Sequence, residues 1–240
     1  MKLTTVFFDL DGTLLPMDQD TFVGAYFRGL SKKLAPHGYD PEKLVKGIWA
    51  GTGAMVQNDG SVTNEAAFWR AFCSLFGENA RQDEPIFAEF YATDFQKVQQ
   101  VCGFDPEAAS TVASIKSMGL TTVLATNPIF PAIATHSRTR WAGLKPEDFR
   151  LITTYENSRY CKPNLDYYRQ ILRELGLDAG ECLMVGNDVA EDMVAGELGM
   201  DVFLLPKCLI NKGGEDISRY PHGDFGDLLK FIRRRMAEVS

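Results

Sequence analysis

Two aspartates, Asp9 and Asp11, lie two positions apart at the end of an apolar run near the start of the chain. Side chains two apart in an extended segment point the same way, so both carboxylates are expected at one site. Two close carboxylates repel each other unless a proton or cation intervenes, and Mg²⁺ prefers such oxygen ligands. Asp-Gly alone is also typical of a solvated turn, but Asp-Leu-Asp-Gly-Thr-Leu after a buried strand favours a functional site.

Other polar residues follow later apolar runs of the chain. Thr126 and Asp188 each follow a predicted strand, as Asp9 follows the apolar run of the first strand, and open parallel sheets bind ligands at the carboxyl ends of their strands. The Thr126 hydroxyl and the backbone amide of Asn127 could donate hydrogen bonds to phosphate oxygens, although a plain threonine turn is the alternative. Lys162 could add a fixed positive charge beside an anionic substrate. A lone lysine before proline is usually an exposed residue.

The elements that must position these residues are short β-rich segments alternating with helical patterns. The predicted strands are residues 4–10, 121–125, 150–153, 181–185 and 201–205. Capping residues delimit helices at 105–119 and 164–176, and further helices are predicted at 189–198 and 225–236. This alternation predicts an α/β fold with a Rossmann-like parallel sheet.

Residues 16–104 show helical periodicity and no convincing strand. We predict helices at 21–34, 41–50, 64–76 and 84–95, which together form an inserted α-helical domain. The catalytic core is then residues 1–15 and 105–240, and hinges are expected near Pro16 and Phe104. The loop 51–60, which carries Thr52, Met55, Gln57 and Asn58, joins two insert helices and is the candidate specificity loop.

Composition narrows the function classes. The net charge of −7 offers no basic field for a phosphate backbone, so nucleic acid is an unexpected partner. The five cysteines are widely spaced without a CxxC pair, and the three histidines have no partner at metal-ligand spacing, which argues against zinc. We see neither a secretory signal nor an apolar stretch of about 18 residues, so no membrane association is expected and the expected location is the cytoplasm.

The motifs taken together resemble those of the haloacid dehalogenase superfamily. DLDGTL at Asp9 is similar to the first motif of its phosphatases, Thr126 in LATNP to the second, Lys162 in CKPN to the third, and GNDVAED at 186–192 to the fourth. The helical insert lies where the family carries its type 1 cap. The resemblance implies a phosphoric monoester hydrolase that uses Mg²⁺ and acts on a small phosphorylated metabolite. It implies Asp9 as the nucleophile that forms an aspartyl-phosphate and Asp11 as general acid and then base.

The fourth motif departs from the common Gly-Asp pattern, because Asn187 follows Gly186 and the acid comes only at Asp188. The motif can therefore be aligned in two registers, which differ in whether Asn187 or Asp188 is the metal ligand. In the family register Asn187 is the ligand, but its neutral amide removes none of the cation's charge. We therefore expect Asp188 to be the chief charge opposite Asp9, with Asn187 as a possible oxygen ligand. If a helix begins there, Asp192 lies on the same face and acts through water or Lys162. The alternative is that Asp188 only caps the helix.

Other activities within the superfamily stay open. A sugar phosphomutase shares the aspartate pair and returns the phosphoryl group to a second hydroxyl. A metal-independent 2-haloacid dehalogenase resembles the chain less, since those enzymes lack an acid at the position of Asp11. A binding module without catalysis is disfavoured by the intact set of Asp9, Asp11, Thr126 and Lys162.

Overall fold

A four-stranded parallel sheet forms the centre of the computed structural model, which describes residues 2–238. Its strands are β1 (Thr5–Phe8), β2 (Thr121–Leu124), β3 (Cys182–Gly186) and β4 (Asp201–Leu204), in the order β2-β1-β3-β4. Every residue of β1 and β3 is buried, as expected for strands covered on both faces. The predicted α/β class and parallel sheet are confirmed.

The register of the sheet aligns the carboxyl ends of its strands. Phe8, the last residue of β1, is opposite Leu124 on one side and Val185 on the other. The chain continues this alignment by one residue, because the backbone N–H of Asp9 donates to the Val185 carbonyl at 2.9 Å. The residues that follow β1, β2 and β3 therefore meet at one edge of the sheet.

The prediction of a fifth strand at 150–153 was wrong. This segment runs beside β2 and forms one isolated parallel bridge, Leu124 to Ile152. The Leu124 N–H donates to the Leu151 carbonyl and the Thr153 N–H to the Leu124 carbonyl, and the chain then turns with the side chain of Asn157 in the turn. Its amide donates to the Ile152 carbonyl at 2.8 Å, and its oxygen accepts from the Thr154 N–H at 2.8 Å. Local side-chain bonds of this kind compete with a β-ladder.

Within the described part of residues 16–104, the regular elements are helices. The α-helices are α1 (Gln19–Leu34), α2 (Pro41–Val56), α3 (Asn64–Phe76) and α4 (Glu84–Ala92), and 3₁₀ helices occupy Ala35–His37, Glu78–Asp83 and Asp94–Val101. The side chains of Asp18, Asp40 and Thr63 accept backbone hydrogen bonds at the starts of α1, α2 and α3.

Helix α2 is longer than predicted, so residues 51–56 of the expected specificity loop are helical. The two glycines in this stretch did not end the helix, because packing between helices outweighs local propensity. Gly51 lies against Phe68 of α3 so closely that an added Cβ would be 2.3 Å from the ring. The remaining part of the segment, from Gln57 to Gly60, joins α2 to the turn before α3.

The core carries α5 (Pro106–Ser117), α6 (Ala132–Trp141), α7 (Leu165–Leu175) and α8 (Phe225–Ala237). The helix predicted at 189–198 is instead a turn followed by a 3₁₀ helix, Met193–Leu198. Two carboxylates take the backbone N–H groups in the turn. Asp188 accepts from Ala190 and Glu191, and Asp192 accepts from Asn187 and Asp188. These bonds favour the turn over a helical start.

The two ends of the helical insert lie side by side. Met17 and Cys102 form an antiparallel bridge, and the Gly103 N–H donates to the Pro16 carbonyl at 2.7 Å. Buried apolar residues of insert and core form one continuous cluster, in which Phe95 packs on Trp141 with ring centroids 5.0 Å apart. The domain boundaries at 15/16 and 104/105, and the hinges, stay predictions.

A second contact joins the insert to the core at Asn64, the first residue of α3. Asn64 is fully buried, and its side-chain amide donates to the carbonyls of Pro128 and Tyr160 at 3.2 and 3.3 Å and to the Cys161 sulfur at 3.4 Å. Its side-chain oxygen accepts from Asn58 at 2.9 Å. One amide thus links the insert to the two core segments that follow Asn127 and precede Lys162.

None of the helices in residues 2–238 is long and apolar enough to cross a membrane. The five cysteines are unpaired.

Candidate active site

Asp9 is the residue directly after β1, and its side chain is about one-tenth exposed. One carboxylate oxygen accepts from the Lys162 ammonium at 3.0 Å, and the other accepts from the Thr13 hydroxyl at 3.1 Å. Thr13 also donates to the side-chain oxygen of Asn187 at 2.8 Å. The loop after β1 and the loop after β3 are therefore joined at the Asp9 carboxylate.

Lys162 is fully buried between two carboxylates, Asp9 at 3.0 Å and Asp192 at 2.6 Å. Although burial opposes its charge, the carboxylates of Asp192 and Asp9 raise the pKa of Lys162 well above its ordinary value. Burial raises the pKa of Asp192, and the Lys162 ammonium acts in the opposite direction. The arrangement holds a permanent positive charge against Asp9.

Two glycines permit the close approach of the loops at this site. Gly12 has φ +88°, and an added Cβ would lie 2.4 Å from the side-chain nitrogen of Asn187. At Gly186 a Cβ would lie 2.0 Å from a carboxylate oxygen of Asp192. A side chain at Gly186 would therefore displace the carboxylate that holds Lys162.

The predicted phosphate-binding residues follow β2. Thr126 is buried, and its carbonyl accepts from the hydroxyls of Thr153 and Tyr167, which hold the backbone in place. The Asn127 side chain donates to the Glu191 carboxylate at 3.0 Å, while its own oxygen is buried without a hydrogen-bond partner in residues 2–238. Burial raises the pKa of Glu191 to about 7, with Lys162 opposing. Sequence reasoning missed Glu191.

The two candidate metal ligands of the fourth motif have different surroundings. The Asn187 side chain is hydrogen bonded on both sides, because its oxygen accepts from Thr13 and its nitrogen donates to the Cys208 carbonyl at 2.6 Å. One oxygen of Asp188 accepts from the Ala190 and Glu191 N–H groups at 2.8 and 3.0 Å. These are contacts of the kind an N-cap residue makes, which was the alternative to metal binding, but they hold a turn and not the start of a helix. The expected shared helix face of Asp188 and Asp192 is absent, since this segment is a turn.

Asp11 has a partner that the sequence did not reveal. The guanidinium of Arg138, from the middle of α6, forms an ion pair with one carboxylate oxygen of Asp11. The Arg138 side chain is 1% exposed and also lies over the Phe130 ring, 4.4 Å from its centroid. The other Asp11 oxygen is buried and makes no hydrogen bond within the described chain. Burial raises the pKa of Asp11, with Arg138 opposing and Asp9 reinforcing the shift.

These residues border one cavity of about 160 Å³ at the carboxyl edge of the sheet. The predicted residues that line it are Asp9, Asp11, Thr126, Asn127, Asn187, Asp188 and Asp192. Lys162 contacts it through Asp9. Gln19, Ile129, Phe130, Glu191 and Ile210 complete the lining and were not predicted. Ile210 carries no sequence pattern typical of a site, whereas Glu191 lies within the acidic fourth motif.

Among the solved structures that share this fold are three proteins with low sequence identity to this chain. A predicted phosphoglycolate phosphatase from Haemophilus somnus 129PT is 16% identical, with a TM-score of 0.58 over 96% of this chain and 98% of its own. The 2-haloacid dehalogenase from Pseudomonas syringae pv. tomato DC3000 is 19% identical, with a TM-score of 0.63 over 97% and 99%. The HAD-hydrolase YfnB from Bacillus subtilis, bound to magnesium, is 16% identical, with a TM-score of 0.58 over 97% and 100%. At these identities the likeness establishes the fold.

No curated protein sequence matches the chain significantly. The profile of the haloacid dehalogenase-like hydrolase family matches residues 3–198, which include Asp9, Thr126, Lys162 and the whole fourth motif. With four motifs around one cavity, a parallel-sheet fold and this match, the chain belongs to the haloacid dehalogenase-like hydrolases.

Proposed function

We propose that this hydrolase is a magnesium-dependent phosphatase that cleaves a small phosphorylated metabolite through a phosphoryl intermediate on Asp9. The main support is the pairing of the buried Asp9 carboxylate with Lys162 at 3.0 Å, beside a second carboxyl group, Asp11. A carboxylate attacks phosphorus only if the repulsion between two anions is offset, and a fixed ammonium does this without a proton transfer.

The phosphate group would be held by donors at the ends of the strands. The Thr126 hydroxyl makes no hydrogen bond within residues 2–238, so it is free to donate to a phosphate oxygen. The backbone amide of Asn127 adds a second donor, and Lys162 adds positive charge. Thr126 and Asn127 line the same cavity as Asp9, and Lys162 bonds to Asp9, so a phosphate held by these groups would be close to the nucleophile.

The reaction has two steps that use the same residues. Asp9 attacks phosphorus, the ester P–O bond breaks, and Asp11 gives its proton to the leaving alcohol oxygen. Asp11 then accepts a proton from water as that water attacks phosphorus, and the bond from phosphorus to Asp9 breaks. Burial and the nearby Asp9 help Asp11 hold a proton, whereas Arg138 opposes this.

The donor set fits a magnesium ion. Asp9, Asp11, Asn187 and Asp188 offer oxygen ligands, and one Asp11 oxygen is buried without a partner. No cluster of three or more His, Cys, Asp or Glu side chains that could enclose a metal is found within the described chain. Mg²⁺ needs none, since it commonly takes one or two carboxylates, several waters and substrate phosphate. When bound, it offsets the charge of Asp9 and of the phosphate oxygens.

The test compares three reactions of the purified protein. Phosphomonoesters, sugar phosphates and 2-haloacids are each supplied as substrate, with Mg²⁺ or with EDTA. The products measured are inorganic phosphate, the isomer of the sugar phosphate, and halide. We expect Mg²⁺-dependent phosphate release that exceeds both other products. Isomer formation without phosphate release would instead identify a mutase, and halide release in EDTA would identify a dehalogenase.

A further inference from the structure

A second cavity, which we call the aromatic cavity, lies beside the catalytic cavity. It has a volume of about 90 Å³ and is enclosed by all four α-helices of the insert, by residues 129–131 and by Tyr155. Each of the four helices contributes side chains to the lining, for example Tyr26 from α1, Ile48 from α2, Trp69 from α3 and Tyr91 from α4. Its walls are mainly aromatic, and no Asp, Glu, Lys, Arg or His of the described chain lines it.

The two cavities share a wall. Ile129 and Phe130 line both of them, and these residues follow Asn127 by only two and three positions. A phosphate held at Thr126 and Asn127 would therefore have the rest of its ester beside this wall. The aromatic cavity is thus an apolar space next to the proposed phosphate position, lined by residues of both the insert and the core.

The polar groups of the aromatic cavity are mostly occupied already. The hydroxyls of Tyr26 and Tyr91 bond to each other at 3.0 Å, and the Thr52 hydroxyl donates to the Ile48 carbonyl at 2.9 Å. The Trp69 indole N–H is buried and makes no hydrogen bond of ordinary geometry in residues 2–238, although the Tyr155 hydroxyl lies near enough to interact with it. Few polar groups of the lining are therefore left to bond a ligand with many hydroxyls.

We propose that the aromatic cavity receives the leaving group of the substrate, and that this group is a small apolar or aromatic alcohol. The inference rests on the proposed phosphatase function. Most sugar hydroxyls would lose their water there without gaining partners, because few polar groups of the lining lack a hydrogen bond, and such unpaired polar groups are strongly rejected. The volume of about 90 Å³ is below the ~150 Å³ of an engineered cavity that binds benzene, so a short alkyl chain fits best and one ring is the upper size, reached only if side chains of the lining shift. In the reaction, the ester P–O bond breaks and the alcohol leaves with a proton from Asp11.

The first test compares esters of similar intrinsic reactivity in the full-length protein with Mg²⁺. Butyl phosphate and glucose 6-phosphate are both esters of primary alcohols, so their kcat/KM values report mainly on the leaving-group site. We expect butyl phosphate to be preferred by about tenfold or more, which is the scale of apolar selectivity in enzyme pockets. An equal or greater kcat/KM for glucose 6-phosphate would overturn the inference.

The second test fills the aromatic cavity from two sides. Thr52→Phe on α2 and Val23→Phe on α1 each add a ring to the lining, and the ratio of kcat/KM for phenyl phosphate to that for methyl phosphate should fall about tenfold. Leu75→Phe is the matched control, because Leu75 is on α3 but 59% exposed and outside the lining. It should keep the wild-type ratio.

The outcomes separate this inference from the proposed function. If both filled variants melt as the wild type does and keep its substrate ratio, the aromatic cavity is not the leaving-group site, while the phosphatase proposal stands. If no phosphate is released from any of these esters or from acetyl phosphate, the proposed function is wrong and the inference falls with it.

Discussion

The ammonium group of Lys162 lies 2.6 Å from the carboxylate of Asp192, and both side chains are buried. Asp192 in turn accepts two backbone N–H groups of the loop after β3, from Asn187 and Asp188. The ion pair therefore fixes the position of that loop as well as the charge next to Asp9. The contact between Lys162 and Asp192 thus sets both the position of the loop after β3 and the positive charge beside Asp9.

Replacing Lys162 tests this coupling. Lys162→Met should lower the free energy of unfolding by about 3–5 kcal/mol, because it leaves two buried carboxylates, Asp9 and Asp192, without their cation. Urea denaturation in EDTA measures the loss. The double variant Lys162→Met/Asp192→Asn should recover part of it, since one of the two anions is removed. Additive losses in the double variant would contradict the coupling.

The proposed role of Asp11 as general acid predicts how the Asp11→Asn variant treats different esters. If Asp11 protonates the leaving group, Asp11→Asn should slow the hydrolysis of alkyl phosphates by about 10²–10⁴-fold and that of aryl phosphates much less. Steady-state kinetics with both ester types provides the measurement. Equal losses for both types would argue against a general-acid role, and Asn at this position can still accept a hydrogen bond from Arg138.

Magnesium affinity distinguishes the two registers of the fourth motif. We expect Asp188→Ala to weaken Mg²⁺ binding by about tenfold or more, because a carboxylate attracts the cation more strongly than an amide does. Asn187→Ala should weaken binding less. Asp192→Ala shows how large an indirect effect is, since it frees Lys162 and removes the acceptor of the Asn187 and Asp188 N–H groups. Calorimetric titration of proteins matched in stability decides the point. Normal binding by Asp188→Ala together with a loss in Asn187→Ala would show that the other register is correct.

Asn64 predicts how tightly the insert is held against the core. Asn64→Ala removes the donors to the buried Pro128 carbonyl and the partly buried Tyr160 carbonyl, which should cost about 1–3 kcal/mol. Amide hydrogen exchange in residues 155–161 should become faster because this segment loses a side-chain contact with the insert and keeps only the backbone bonds from Asn64 and Glu65 and the contacts of Arg159. Gln57→Ala, at an exposed position after α2, is the control and should leave exchange unchanged. Unaltered exchange in Asn64→Ala would mean that the contact does not hold the insert.

Much of the fold could be predicted from the sequence, because buried strands and capped helices leave local patterns. β1, β2, β3 and β4 were found in this way, and so were the starts of α2 and α3. The wrong predictions have local and tertiary causes. At 189–198, the side chains of Asp188 and Asp192 take backbone N–H groups that a helix would have arranged differently, after 150–153 the side chain of Asn157 forms a turn, and packing on Phe68 carries α2 past its glycines. Such competition depends on contacts that sequence patterns do not show.

Some residues of the candidate site could likewise be predicted from the sequence, and others could not. Asp9, Thr126 and Asp188 were predicted to follow strands, and the shared edge of a parallel sheet explains why they meet. Arg138 could not be predicted, since it occurs within a helix of ordinary composition and carries no spacing relation to Asp11. Its 127-residue separation from Asp11 is bridged only by the folded chain. Contacts of this kind need the structure.

The central claim is that Asp9 carries the phosphoryl group, and mass spectrometry of the acid-quenched protein tests it most directly. The protein is incubated with Mg²⁺ and acetyl phosphate, quenched, digested and compared with an Asp9→Asn sample that has the same melting temperature. We predict one phosphoryl group on the peptide that contains Asp9, sensitive to hydroxylamine, and neither adduct nor turnover in Asp9→Asn. Phosphate release by folded Asp9→Asn at a rate near that of the wild type would contradict the account.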